Sequence, residues 1–159
     1  MIDDAFLTDF RETVDRAAAT LLAIADADAG RRPAPGKWSR KEIVGHLIDS
    51  AANNHARFVR AQLTDDLVFP GYDQDVWVRL QRYQQRPWSE LVRLWQGYNH
   101  HVADVMACAD PATVDRARTT HNLHELAWQT VAPDQPTTLD YFMRDYVAHL
   151  KHHLRQALG

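Results

Sequence analysis

Cysteine is nearly absent from this sequence. Cys108 stands alone, which excludes an internal disulfide and any zinc site built on thiolates, so a bound metal would have to rest on histidine or carboxylate. Long apolar runs are missing as well. No stretch reaches the roughly 18 residues that span a bilayer, and the opening MIDDAFLTDF has neither the basic flank nor the apolar run of a secretory leader. The chain is therefore expected in the cytoplasm, with no membrane partner. Basic blocks are absent too: 18 Lys and Arg and 21 Asp and Glu are mixed along the chain for a net charge of -3. Nothing there can follow a phosphate backbone, so nucleic acid is not an expected partner. No internal repeat and no low-complexity tract interrupts the chain.

What remains is an ordinary globular composition, 45% hydrophobic and 25% charged over 159 residues, enough to bury one core without a covalent staple. One domain spanning 1–159 is expected. Its periodicity is helical. Leu7, Phe10, Val14, Ala17, Leu21 and Ile24 alternate steps of three and four, marking a first helix that ends around 27–30, before Pro33 and Pro35 forbid continuation. A second helix opens on a capping box, Ser39 with Glu42, flanked by Trp38 and Ile43 as a hydrophobic staple. It continues through Ile43, Leu47, Ala51 and Phe58, toward Leu63.

A long connection follows, in which 73–86 has the pattern of a short helix presenting Val76, Trp77, Leu80 and Tyr83. The third helix is expected from Ser89, burying Leu91, Leu94 or Trp95, Tyr98, Val102, Val105 and Ala109, with Cys108 at its edge as a packed small residue. Over 111–136 the period is lost and no element is assigned. The fourth helix opens at Thr137-Thr138-Leu139-Asp140, a Thr-x-x-acid capping pattern, and runs to the C-terminus.

This last helix carries two stripes. Leu139, Met143, Val147, Leu150, Leu154 and Ala157 form one; Phe142, Tyr146, His149, His153 and Gln156 form the other, which begins aromatic and ends polar. A core accepts buried imidazoles only with partners, and His149 and His153, at i and i+4, can share a metal. Spacing alone is weak: nine histidines give about 0.5 such pairs by chance. His46 is the best third ligand, on the rim of the second helix's apolar face. Asp49 and Gln156 are candidates to orient the imidazoles, although Asp49 reads equally well as a carboxylate on an exposed flank.

Depth supports the grouping. His46 lies seven residues past Ser39, about 10 Å into its helix, and the midpoint of His149 and His153 lies eight residues before the chain end, about 12 Å back. The depths coincide only if the second and fourth helices are antiparallel. That requires an all-α four-helix bundle in up-down-down-up order, with a long crossover between helices two and three along 64–88. Separate, hydrogen-bonded histidines remain the alternative reading of the three. His121 with His124 is a competing pair in the unassigned segment. His55, His100 and His101 read as isolated, and His152 as a solvated neighbour of His153. Trp77, Trp88, Trp95 and Trp128 read as core and loop packing, with a pocket roof as the alternative.

Pro35-Gly36-Lys37-Trp38-Ser39, Gly45-His46-Leu47-Ile48-Asp49-Ser50, Phe69-Pro70-Gly71-Tyr72-Asp73-Gln74-Asp75-Val76-Trp77 and His149-Leu150-Lys151-His152-His153-Leu154-Arg155-Gln156 together resemble the DinB/YfiT-like superfamily over roughly 38–156. The resemblance implies one divalent ion, zinc or nickel, on His46, His149 and His153. It also implies a small-molecule substrate, and chemistry such as low-molecular-weight-thiol S-transfer with bacillithiol, mycothiol or glutathione, or isomerisation with such a thiol. Metal-dependent hydrolysis, and a non-catalytic metal-binding or stress-related bundle, are the alternatives, and the resemblance makes a homodimer an expected assembly.

Overall fold

The computed structural model describes residues 2–159. Its elements are α1 (Asp4–Leu22), α2 (Asp26–Ala29), α3 (Arg40–Ala61), α4 (Gln74–Leu80), a 3-10 turn (Tyr83–Gln85), α5 (Trp88–Ala107), α6 (Pro111–Asp115), α7 (Leu123–Leu126) and α8 (Leu139–Leu158). The four long helices, α1, α3, α5 and α8, are the expected four-helix bundle. Its core is made by their apolar stripes, among them Phe10, Val14 and Leu21, then Val44, Leu47 and Phe58, then Leu91, Trp95 and Val102, then Leu139, Met143, Val147 and Leu150. Each such side chain removed from water contributes about 1.5–3 kcal/mol before the entropy of ordering is subtracted. Among the described residues, no helix is long and apolar enough to cross a membrane.

The start of α3 fixes the site's position, and its cause is local. Ser39 Oγ accepts from the Glu42 amide at 3.2 Å while the Glu42 carboxylate accepts from the Ser39 amide at 2.8 Å, so both orphan donors of the first turn are satisfied. Glu42 is buried, and Arg32 closes on it with Nε 3.0 Å away. The chain enters this cap through Gly36, whose φ of 75° lies in the left-handed region that glycine occupies without strain.

Paired contacts give the helix directions. Arg40, at the head of α3, donates to the carbonyl of Ala157 at 2.8 Å, and Phe58, near its tail, stands 5.7 Å from Phe142 at the head of α8. These two helices are antiparallel. Asp3 with Arg144 and Asp9 with Lys151 run α1 alongside α8 in the same sense. The Trp88 indole donates to Leu21 O at 2.7 Å and Arg11 meets Asp104 at 2.8 Å, so α5 runs against α1. Consequently α3 and α5 point one way, α1 and α8 the other, and 62–87 brings the chain back along the bundle.

Several expectations are corrected. The first helix stops at Leu22, and 26–29 is a separate turn. In the connection, Val78 and Tyr83 face inward while Trp77 and Leu80 are exposed, because the helix is shorter than 73–86 and Tyr83 belongs to the following 3-10 turn. Of the two alternatives for that turn of α5, Trp95 is the core residue and Leu94 is exposed, while Cys108 is the exposed C-cap instead of a packed residue. The cap of α8 is Thr138, which accepts from the Tyr141 amide at 3.1 Å; Asp140 pairs with Arg144 one turn on.

The unassigned 111–136 is ordered by contacts distant in sequence. Leu67 bridges His121, and Arg118 bridges Thr137. Buried Arg118 also donates to the Ala61 carbonyl at 3.0 Å, covering the end of α3.

Candidate metal centre

His46 sits inside α3, 2% exposed, facing half-buried His149 and His153 one turn apart on α8. One ring nitrogen from each of the three lies within 4.8 Å of the others. Nε2 of His46 and Nε2 of His149 are 3.4 Å apart. A tetrahedral ion with metal–nitrogen bonds of about 2.0–2.1 Å sets its ligands roughly 3.3 Å apart, so this pair already has the separation that a shared ion demands. Among the described residues it is the one such group of three.

The electrostatics fit the same donor set. Burial, reinforced by the neighbouring imidazoles, holds His46 and His149 down at about 3, and His153 is lowered by burial against the opposing pull of Gln156. All three are therefore neutral at pH 7, the state in which imidazole offers a lone pair. Gln156 orients the His153 ring: its Oε1 lies 2.8 Å from His153 Nδ1, and since an amide oxygen only accepts, this contact favours the tautomer with the proton on Nδ1 and the lone pair on Nε2. The Gln156 amide nitrogen lies 3.0 Å from His152 Nε2, to which it donates. Replacing exposed Gln156 with alanine should weaken metal binding about ten- to hundredfold, the usual effect of losing a ligand-orienting partner. Competition with a chromophoric chelator measures this, while the apo melting temperature should barely move.

Two indoles wall the centre. Trp38 lies 5.1 Å from the His46 ring, and Trp128 lies 5.7 Å from His149 and 4.4 Å from His152. Trp128 thus roofs the site, and His152 stacks on it instead of standing in solvent.

Asp49 takes neither role expected of it. It is 3% exposed, which removes the exposed-flank reading, and its Oδ1 accepts from Tyr83 Oη at 2.6 Å and Gln81 Nε2 at 2.5 Å. Its hydrogen bonds go to the crossover and none reaches His46, whose Nδ1 is buried without a hydrogen-bond partner. Asp49 therefore anchors the crossover onto the helix that carries His46.

The competing histidines are otherwise engaged. His121 is buried with Nε2 donating to Gln135 O at 2.8 Å and Nδ1 accepting from the Leu123 amide at 3.2 Å, so neither nitrogen is available to an ion. His124 is exposed beside Glu125. His100 meets Asp15 at 2.7 Å, and His55 meets His101 edge to face at 4.7 Å.

His46 and His149 open on a cavity of about 290 Å³ running under Trp128 and residues 71–74, its wall including Ser50, Asn54, Arg57, Tyr72, Glu125, Asp145 and Tyr146. Burial raises Asp145, but its two oxygens accept from the Trp128 and Gln129 amides at 2.8 and 2.7 Å. It clamps the roof. Sequence reading missed Asp145 and Arg57. Both were within reach of helical spacing: Asp145 is one turn before His149, and Arg57 continues the line of His46, Ser50 and Asn54.

A family model described as the DinB superfamily matches residues 9–157. A curated protein of Oceanobacillus iheyensis, provisionally named a metal-dependent hydrolase, is 19% identical over 137 residues, 86% of this chain and 76% of its own length. Among solved structures, YfiT from Bacillus subtilis, described as a probable metal-dependent hydrolase with an unusual four-helix bundle topology, superposes with a TM-score of 0.74 at 18% identity. That alignment covers 99% of this chain and 86% of YfiT. A mycothiol-dependent maleylpyruvate isomerase superposes with a TM-score of 0.68 at 12% identity, covering 96% of this chain and 59% of that one. At these identities the structural likenesses speak for the fold alone.

Proposed function

The chain belongs to the DinB superfamily, and on that premise we propose that it is an enzyme holding one divalent ion on His46, His149 and His153 to activate a low-molecular-weight thiol. The observation that carries this reading is the convergence of three neutral imidazoles from two helices beside a 290 Å³ cavity. Three protein ligands leave a position open to substrate, unlike a closed structural site. Zinc and nickel both suit an all-imidazole set. A divalent ion bound there supplies Lewis acidity that lowers the pKa of a coordinated thiol toward neutrality.

The chain's own groups favour the thiol over water as nucleophile. Once the thiol proton has gone to solvent, the sulfur lone pair forms the new S–C bond and the electrophile's leaving group departs with its electron pair. No protein base is required. Hydrolysis asks for a carboxylate to take a proton, and the buried ones are poorly placed for it: both oxygens of Asp145 accept from backbone amides, and Asp49, held through Oδ1 by Tyr83 and Gln81, does not line the cavity. Tyr72, on the cavity wall, is pushed up to about 12 by burial and serves as a donor, not a base. Trp38 beside His46 and Trp128 beside His149 give the reacting end an apolar wall that limits competition from water.

One observation favours hydrolysis as a second reading. Glu125 is exposed, lines the cavity, and has the His124 ring 3.5 Å away, so it is placed to handle a proton. A single assay separates the two. Metal-loaded protein incubated with bacillithiol, mycothiol or glutathione and a panel of electrophiles should consume one of these thiols, and His46→Ala should abolish the consumption while Glu125→Gln retains it. Failure with every thiol, together with ester or amide cleavage that Glu125→Gln abolishes, would replace the transferase reading with the hydrolase one.

A further inference from the structure

Arg57 is a buried cation in the wall of the proposed active-site cavity. It is 6% exposed, and burial pulls its guanidinium below the ordinary arginine range. Among the described residues no carboxylate stands within ion-pair distance of it. Its hydrogen bonds are to neutral acceptors, Asn54 Oδ1 at 3.4 Å and the carbonyl of Pro70 at 2.9 Å. A guanidinium has five donors, and these two contacts leave the others toward the cavity. A buried charge is ordinarily matched, because desolvating it alone is costly. The acidic groups nearby do not match it: Asp145 is held by the backbone behind Trp128, and Glu125 is exposed near His124.

We propose that Arg57 is the specificity residue of this cavity, receiving a carboxylate group of the substrate while the reacting end of the molecule lies at the three histidines. The inference rests on reading the cavity as the active site. Asn54 and Ser50 continue from Arg57 along one line of α3 to His46, all four lining the same space. Eleven residues separate Arg57 from His46, roughly 16 Å along the axis at 1.5 Å per residue. A side chain leaning toward the helix N-terminus, as helical side chains do, shortens that span. The cavity volume of about 290 Å³ is at the small end for ligand sites, which run from about 300 Å³ upward. The substrate class is therefore a compact organic acid with its electrophilic carbon several bonds from the carboxylate. A singly charged carboxylate matches one guanidinium in bidentate geometry. A phosphate dianion would carry excess negative charge past Glu125 and Asp145.

The test is calorimetric titration of chelator-stripped protein with succinate as the carboxylate probe and inorganic phosphate as the competing anion. Wild type should bind succinate with a millimolar Kd and phosphate more weakly. Arg57→Gln should weaken succinate at least tenfold, with Arg57→Lys in between. A folded Arg57→Gln that binds succinate as wild type does, or tighter binding of phosphate by wild type, overturns the proposal. Should neither variant fold, the assigned Arg57 Nε resonance of wild type must shift saturably with succinate, and an unmoved resonance overturns it. Stripping the metal keeps the readouts apart: wild type that takes up no ion yet binds succinate through Arg57 refutes the metal reading alone.

Discussion

Gly45→Ala will destabilise the protein by about 3 kcal/mol, a fall of roughly 10 °C in melting temperature, whereas Gly97→Ala will leave it unchanged or raise it. Both glycines lie within long helices, where alanine is intrinsically better by about 1 kcal/mol. Surroundings decide the sign. A Cβ at Gly45 would fall 2.2 Å from Tyr83 Cδ2, 2.3 Å from Cγ and 2.8 Å from Cβ. Rotating the ring cannot relieve a clash that reaches the tyrosine's own Cβ, so the 3-10 turn must lift off α3. Lifting it breaks the bond from Tyr83 Oη to Asp49 at 2.6 Å and leaves a buried carboxylate short of a donor, a cost of about 1–3 kcal/mol on its own. At Gly97 an added methyl meets nothing within 4 Å. Urea or thermal melts of both variants check this, and Gly45→Ala combined with Tyr83→Ala should cost less than the sum of the singles, since alanine at 83 removes the ring atoms at 2.2 and 2.3 Å and leaves only its Cβ against the new methyl.

That clash also explains part of what the sequence concealed. Gly45 precedes His46 in a stretch that reads as plain helix, and nothing local announces that another segment lies against its backbone. Local features were legible: the Ser39–Glu42 capping box formed as read, and the apolar stripes of all four long helices became the core. The grouping of His46 with His149 and His153 was legible through depth, because helical rise converts sequence offset into distance. Contacts between distant segments were not. His121 looked like half of a ligand pair, but both its nitrogens hold loop backbone. Asp49 looked like a partner for His46 because it lies one turn away, yet Tyr83 and Gln81 arrive from the crossover and take its oxygen. Arg57 and Asp145 went unnoticed because the segments that cover them, 69–71 and 127–129, come from elsewhere in the chain.

The same burial that readies the histidines for a metal makes the metal-free protein acid-sensitive. His46 and His149 stay neutral down to about pH 3 in the folded state, whereas in the unfolded chain they take up protons below about 6.5. From pH 7 to 5 the unfolded state therefore gains protons that the folded state refuses, and stability falls. Two such groups amount to a loss on the order of 4 kcal/mol over that interval, at about 1.4 kcal/mol per pH unit for each below about 6.5. Asp49 and Asp145, raised by burial, act in the opposite direction, so the comparison must be with a variant that keeps them. His149→Ala should lose about half as much stability as wild type between pH 7 and 5, measured by urea melts of chelator-stripped protein. A variant as acid-sensitive as wild type would show that the unfavourable protonation lies elsewhere. Adding zinc at one hundred times its Kd should stabilise wild type at pH 7 by about 2.7 kcal/mol, and His149→Ala, deprived of one of three ligands, should show no such gain and hold no ion after desalting. The two halves of the experiment address one physical argument: desolvation that keeps protons off the three rings leaves their lone pairs free, and a cation bound between them, as proposed, would use those lone pairs and stabilise the folded state.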